Sequence, residues 1–421
     1  MLRSGALAWL VLLITTISIS LSIPAYSAPP ALSCDHLGSR PATTSTGEKP
    51  QSKVWNFAGS WWSVFPTNAG GASSAGTWLW RLHNDAWTET LRLSIETGTK
   101  ADVKVTGNLA HILLYDATPE LVSVAHVDGT YQLWSSRPAP SSLSLPNSEI
   151  ATIEIDSAGR MWLATESGTR LVVHYSDPPY STWNGPLTLA TGCSDDDISV
   201  ITAFPNRTIG VLWSNQNTRR FGFRTHSDGA APHVWSADEV PASQSAQNIG
   251  LGMADDHLHV AVGRDGTLYT AVKTSYDTAG AVKIALLVRR PNGTWDALYK
   301  VDTAGTRPII LLNEAEGTLT VLYTSAEGYN NMIYKRSLLA PIAFGERTTL
   351  RTGSFNDASS TKQNYTGEFV VIYASRTEVC GSRCASVVSV QAHLAGTETT
   401  NRTESMMSPF FLIPKPHRFP D

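Results

Sequence analysis

The sequence predicts an all-β fold: a seven-bladed β-propeller of four-stranded antiparallel blades, with six blades and an extra partial blade as the alternative. Three observations predict it. A strand motif returns seven times, its copies ending at Thr67, Ala117, Ser167, Asn215, Ser275, Ser325 and Ser375, spaced by 50, 50, 48, 60, 50 and 50 residues. Each copy is an apolar run such as TLTVLYTS or EFVVIYAS, closing on a small polar residue. No stretch between copies carries the amphipathic helical period that a parallel α/β fold requires. A fixed period of this size means stacked supersecondary units, and four-stranded propeller blades fall in this range.

The chain opens with an apolar segment whose one charge is Arg3, followed by Pro24 and Ala25-x-Ser27. Residues 1–27 are therefore expected to be a secretory signal peptide, with an uncleaved membrane anchor as the alternative. After cleavage no stable membrane insertion is expected, and the protein is expected to be secreted or extracytoplasmic. Residues 28–50 are rich in Pro, Ser and Thr and are expected to be flexible. Residues 51–395 form the propeller, read as one domain, and 396–421 a polar, Pro-rich tail. The 421 residues are 42% hydrophobic and 16% charged with net charge −4, ample for a large core. No basic block follows a phosphate backbone, which argues against a nucleic-acid partner.

Each unit follows one grammar. A first strand, as in 150–156, 198–204, 257–262 or 307–313, meets a tight turn such as Asp156-Ser-Ala-Gly159 or Arg264-Asp-Gly266. The repeated strand is second, a third follows, and then come a turn and usually a Trp. Phe65, Tyr115, Trp213, Tyr323 and Tyr373 share one place in the repeated strand; Thr165 and Lys273 stand there in the other copies. A lone four-stranded sheet cannot bury both faces, but radial stacking covers them.

The late turn reads Ser176-Asp177-Pro-Pro-Tyr-Ser-Thr182-Trp183 in one unit and Pro291-Asn292-Gly293-Thr294-Trp295 in another, with a looser Ser227-Asp228-Gly229…Trp235. Here the chain resembles the sialidase-like propellers with Asp-box (BNR) turns. In such a turn Asp or Asn bonds the backbone, Gly relieves φ, and Trp pins the hairpin. The resemblance covers the repeat region as architecture. It implies that ligands meet the face where first strands begin and repeated strands end. A sialidase, as the resemblance implies, also needs three arginines and a Tyr/Glu pair; here Arg307 and Arg376 are the funnel candidates.

Aligning the units on the repeated strand brings Glu149, Asp197, Asp256 and Arg307 to one place before the first strand, with Lys53, Asp102 and Lys362 at similar points. Loops after the repeated strand add Asp116, Glu166, Asn215, Asn217, Tyr276, Asp277, Tyr329 and Arg376. Such a ring of mixed charge, amides and tyrosines suits a hydroxyl-rich ligand. The bland alternative is that strand starts and loops are simply solvated. For glycoside hydrolysis two carboxylates about 5 to 10 Å apart are required, and Glu149 with Asp197 or Asp197 with Asp256 are the candidates. For elimination, Tyr276 with His257 would serve as the proton-transfer pair.

No cofactor or metal is expected. Asp195–Asp197 offers hard oxygen ligands that suit calcium, and His257 with His259 two imidazoles on one strand face, but neither shows full ligand spacing. Export makes the four cysteines disulfide candidates: Cys380 with Cys384, and Cys34 with Cys193, or Cys34 with the last repeat. Asn206, Asn292, Asn364 and Asn401 stand in sequons. The functional expectation is a monomeric, exported propeller that binds a glycan or polysaccharide through its loop face. A glycan-cleaving enzyme, hydrolase or lyase, is the alternative, and an extracellular scaffold the third reading.

Overall fold

The computed structural model describes residues 29–43, 49–68, 74–376 and 385–394. Every regular element among them is a β-strand, apart from one 3-10 turn at Ser243–Ser245. Strand β1 (Leu32–Ala42) comes first. The first sheet is β2 (Val54–Phe57), β3 (Ser60–Thr67), β4 (Gly76–His83) and β5 (Ala86–Ser94). The second is β6 (Lys100–Thr106), β7 (Leu109–Tyr115) and β8 (Glu120–Val127), with β9 (Thr130–Leu133) and β10 (Ser141–Ser142) both on β8. The third is β11 (Ala151–Ile155), β12 (Met161–Ser167), β13 (Arg170–Ser176) and β14 (Asn184–Thr191).

The fourth sheet has β15 (Ser199–Phe204), β16 (Thr208–Asn215) and β17 (Arg220–Ser227), with a single bridge from Phe223 to Glu239 in the fourth-strand place. The fifth is β18 (Leu258–Val262), β19 (Leu268–Lys273), β20 (Ile284–Arg289) and β21 (Tyr299–Asp302). The last runs β22 (Thr306–Asn313), β23 (Thr318–Thr324), β24 (Asn330–Leu338), β25 (Thr348–Ser359), β26 (Glu368–Arg376), β27 (Ala385–Leu394) and then β1. Every pairing is antiparallel. In β25, residues 348–351 and Phe355 pair with β24 and 355–359 with β26, so the seven-stranded sheet is two four-stranded halves sharing one strand. Between them, Gly353 has φ 154° and a Cβ there would sit 2.3 Å from the Phe355 ring, so the bend tolerates no side chain.

The repeated strands are largely apolar because both faces are covered: β3 and β23 are buried at every position. Outer strands such as β14 are mostly exposed and read as polar. Apolar clusters join each sheet to the next. Trp62 and Val64 pack with Ile112 and Val124, Leu113 and Tyr115 with Ile153 and Leu163, and Trp162 with Val211 and Trp213. The sequence of clusters continues through Leu212 with Val272 and Leu286 with Val321. It ends where Phe369 and Val371 of β26 share a cluster with Val54, Phe65 and Trp80 of the first sheet. Val54 N donates to Ser360 O, and Val103 N to Ser52 O, so β2 lies between β25 and β6.

Two expectations are corrected here. Residues 32–42, taken as flexible from their composition, form β1, paired with β27 from Leu32↔Leu394 to Ala42↔Ala385. Cys34 and Cys193 are free thiols, not a disulfide. Cys34 stands in β1 opposite Ala392, while Cys193 is buried beside Trp213 in the third and fourth sheets. Burial pushes both thiols up to about 11, far from the reactive thiolate. The two ends are held together by a strand ladder instead of a Cys34 staple. Cys380 and Cys384 lie outside the described residues, as do residues 1–27, expected to be a signal peptide, and 396–421.

Of the three late turns the one at Asn292 bonds as expected, whereas Asp177 pairs with Arg160 and Asp228 accepts from Ser157 N of the neighbouring sheet. Asn292 Oδ1 accepts from Thr294 N at 3.1 Å and from Thr294 Oγ1 at 2.8 Å, and Trp295 Nε1 donates to Glu239 at 2.8 Å across the sheet boundary. Asn292→Ala is expected to lower unfolding stability by about 1 kcal/mol, measured by denaturant titration, because the turn loses its capping acceptor.

Candidate functional site

The face where β11, β15, β18 and β22 begin is centred on a segment of the chain itself. Residues 49–53 are buried throughout. Gln51 O accepts from Ser359 Oγ, Ser52 N donates to Asp102, and Ser52 Oγ lies 3.2 Å from His259 Nε2 of the fifth sheet. The segment thus fills the axis between first strands. Its leading residue, Lys49, has a side chain only 3% exposed. The Lys49 ammonium bonds Asp256 and stands 2.7 Å from Glu149, carboxylates that precede β18 and β11. Burial alone would strip its proton, but Asp256 and Glu149 outweigh burial and hold it firmly cationic.

A charged chain continues from Asp256. His257 Nδ1 lies 2.6 Å from Asp255 and 2.7 Å from Asp256, so that nitrogen carries the proton. Asp255 also accepts from Ser275 Oγ at 2.9 Å and lies 3.4 Å from Lys273 Nζ, which in turn meets Glu327 at 2.7 Å. Burial would raise Asp256, yet the hydrogen bond from His257 and the charge of Lys49 hold it well below the carboxylate range. His257 Nε2 is buried and has no hydrogen-bond partner among the described residues. Glu149, Asp196 and Asp256 bring carboxylate oxygens within 4.8 Å of one another, and Lys49 already neutralises two of the three.

Glu149, Asp256 and His257 are therefore brought together. Two further carboxylates, Glu166 and Asp197, turn toward backbone amides, although Glu166 Oε2 is buried with no hydrogen-bond partner among the described residues. Glu166 accepts from the Glu149 and Ile150 amides, capping the start of the third sheet, and burial pushes it up to about 7. Asp197 accepts from Ser194 N at 2.6 Å and from Gln216 N at 3.0 and 3.1 Å, a loop staple within the fourth sheet. Asn215 Oδ1 accepts from Thr218 N at 2.9 Å. Tyr276 is buried under the long 228–257 connection, its Oη accepting from Gln247 N at 2.9 Å.

Asp102 is fully buried inside the axis, accepting from Ser52 N at 2.9 Å and Ile153 N at 2.8 Å and bonding Lys362. Lys53 is likewise buried, at the start of β2. Lys362 does not precede a first strand. It follows β25, on the long 360–367 turn, and enters the axis from the opposite end. Arg307 Nε meets Asp357 at 2.7 Å. On the rim Arg376 lies 4.9 Å over the Tyr329 ring, joining two predicted residues. Asp277 is exposed, Asn217 is exposed and donates to Gly192 O at 3.1 Å, and Asp116 is exposed 3.5 Å from Lys100.

The sequence alone does not mark Lys49 or Lys273 as site residues. Lys273 carried a signal, since it replaces the aromatic residue of five other copies; Lys49 carried none.

No protein-family model matches this chain, and no curated protein does. Among solved structures it is similar to an ulvan lyase of a polysaccharide lyase family, at 10% identity, covering 84% of this chain and 95% of the other with a TM-score of 0.52. It is also similar to the endosialidase of phage phi92, at 11% identity, covering 92% of this chain and 72% of the other with a TM-score of 0.50. At these identities the likeness is one of fold: all-β and propeller-like, built of four-stranded antiparallel sheets. No helix among the described residues is long and apolar enough to cross a membrane.

Proposed function

We propose that this chain is an exported, closed seven-bladed propeller of sialidase-like type that binds a glycan or polysaccharide on its loop face. One observation carries binding ahead of hydrolysis: the carboxylates nearest the axis are already engaged. Glu149 and Asp256 hold Lys49, Asp255 holds His257, and Asp197 and Glu166 hold backbone amides. A hydrolase needs one carboxyl to protonate and another to attack or activate water. What remains outward is a rim of Tyr329, Arg376, Asp277 and amides, suited to stacking and to hydroxyl groups. The two structural likenesses, an ulvan lyase and an endosialidase, support a glycan as the ligand class.

Affinity electrophoresis through a panel of embedded polysaccharides tests this reading. At least one polymer is expected to retard the protein, Tyr329→Ala is expected to weaken that retention about tenfold, and no new chain ends should form. Failure of every polymer sinks it and favours the scaffold.

A second reading has one specific observation in its favour. With Nδ1 held by Asp255, the partnerless His257 Nε2 has the lone pair of a general base, the group eliminative cleavage requires. Unsaturated ends that vanish in His257→Gln would establish a lyase and displace the binding-only view.

A further inference from the structure

Between the second and third sheets lies a cleft of about 380 Å³ whose lining holds none of the charged residues of the axis. One wall is the 142–148 segment after β10, carrying Leu143, Ser144 and Pro146; the other is β13 and the start of β14, carrying His174, Trp183 and Pro186. Its volume is at the small end of ligand pockets, which run from about 300 to 1,000 Å³.

Three features set this cleft apart from a packing flaw. His174 is 8% exposed and no described residue hydrogen-bonds its ring, so its nitrogens are left to whatever enters the cleft. Burial holds it below its ordinary range, so it is neutral, offering one donor and one acceptor. Trp183 is half-buried, and its Nε1 is spent on Ser141 Oγ at 3.3 Å, which leaves the ring to offer an apolar surface. No Asp, Glu, Lys or Arg lines the cleft, in contrast to the charged axis. Gly185 also shapes the wall: a Cβ there would lie 2.9 Å from Val173 O and 3.4 Å from His174 Nδ1.

We propose that this cleft is a second binding site, for one uncharged pyranose ring, with Trp183 against the apolar ring face and His174 bonding hydroxyls. The sugar class leans on the glycan reading above; the place and neutrality of the site do not. A charged sugar is excluded, because no countercharge in the cleft offsets the desolvation of a carboxylate.

The test follows the Trp183 resonance by fluorine NMR in full-length protein labelled with 5-fluorotryptophan, assigned through Trp183→Phe. Methyl glycosides of glucose, mannose and fucose are the probes, with glucuronate as the charged control. At least one neutral probe should move this resonance saturably in the millimolar range, and glucuronate should not. Ser144→Tyr, at an exposed position, fills the cleft and should abolish the shift, while His174→Leu should weaken binding at least tenfold. A resonance unmoved by all three neutral probes, an equal response to glucuronate, or a shift that persists in Ser144→Tyr overturns the proposal. Because Tyr329→Ala reports on the rim alone, polysaccharide retention can fail while the cleft still responds, and the reverse.

Discussion

Lys49→Met is expected to destabilise the fold by about 3 kcal/mol, seen as a lower denaturant midpoint with an unchanged slope. Methionine matches the lysine stem in length and apolar character, so packing is largely kept while the charge is lost. What remains is Glu149 and Asp256 facing each other across the axis without a cation. Removing one partner of a buried ion pair costs about 3–5 kcal/mol because the other charge stays behind uncompensated. The lower figure applies, since Glu149 is one-third exposed and Asp256 keeps His257. The triple variant Lys49→Met, Glu149→Gln, Asp256→Asn should recover most of the loss, because removing all three charges leaves none unpaired. A single variant as stable as the parent would show that Lys49 is not the axial counter-ion.

Much of the architecture was legible because it is set locally. Strands covered on both faces must be apolar at successive positions, so β7, β16 and β23 announce themselves as runs. The first strands expected at 150–156, 198–204, 257–262 and 307–313 match β11, β15, β18 and β22 to within a residue or two. The axial site was legible only in part. Glu149, Asp256 and His257 followed from alignment of the repeats, but their partner Lys49 stands 100 residues from Glu149 and 207 from Asp256 in a stretch whose composition reads as loose. β1 escaped for the same reason: its polar sequence is an outer strand, and its partner β27 is at the far end of the chain. Lys362 was misplaced because alignment on strand ends cannot see that the 360–367 turn is longer than its counterparts. Nor does sequence reveal direction: Glu166 and Asp197 sit in the expected loops but turn their oxygens to backbone amides.

His259 and Glu166 are expected to leave opposite marks on the pH dependence of stability. His259 Nδ1 accepts from Ile310 N and its Nε2 faces Ser52 Oγ, so the buried ring is held neutral. Burial, with the charge of Lys362, lowers its folded pKa to about 3 from 6.5. A depressed folded pKa means the unfolded chain takes up the proton first, so this contribution is whole above pH 6.5 and is lost as pH falls. Glu166 runs the other way: burial raises its folded pKa to about 7 from 4.5, so the folded state holds the extra proton and stability is lost as pH rises across that interval. Each group changes unfolding free energy by about 1.4 kcal/mol per pH unit inside its window. The stability difference between parent and His259→Asn should therefore shrink by about 2 to 3 kcal/mol on going from pH 6.5 to 4.5. The difference between Glu166→Gln, which keeps the acceptor for the Ile150 amide, and the parent should grow in favour of the variant from pH 5 to 7. Urea midpoints at half-unit pH steps measure both. Parallel curves for parent and His259→Asn would show that the imidazole is not shielded from protons by the axis. Parallel curves for Glu166→Gln would show that Glu166 already ionises in the folded state as it does in the unfolded chain.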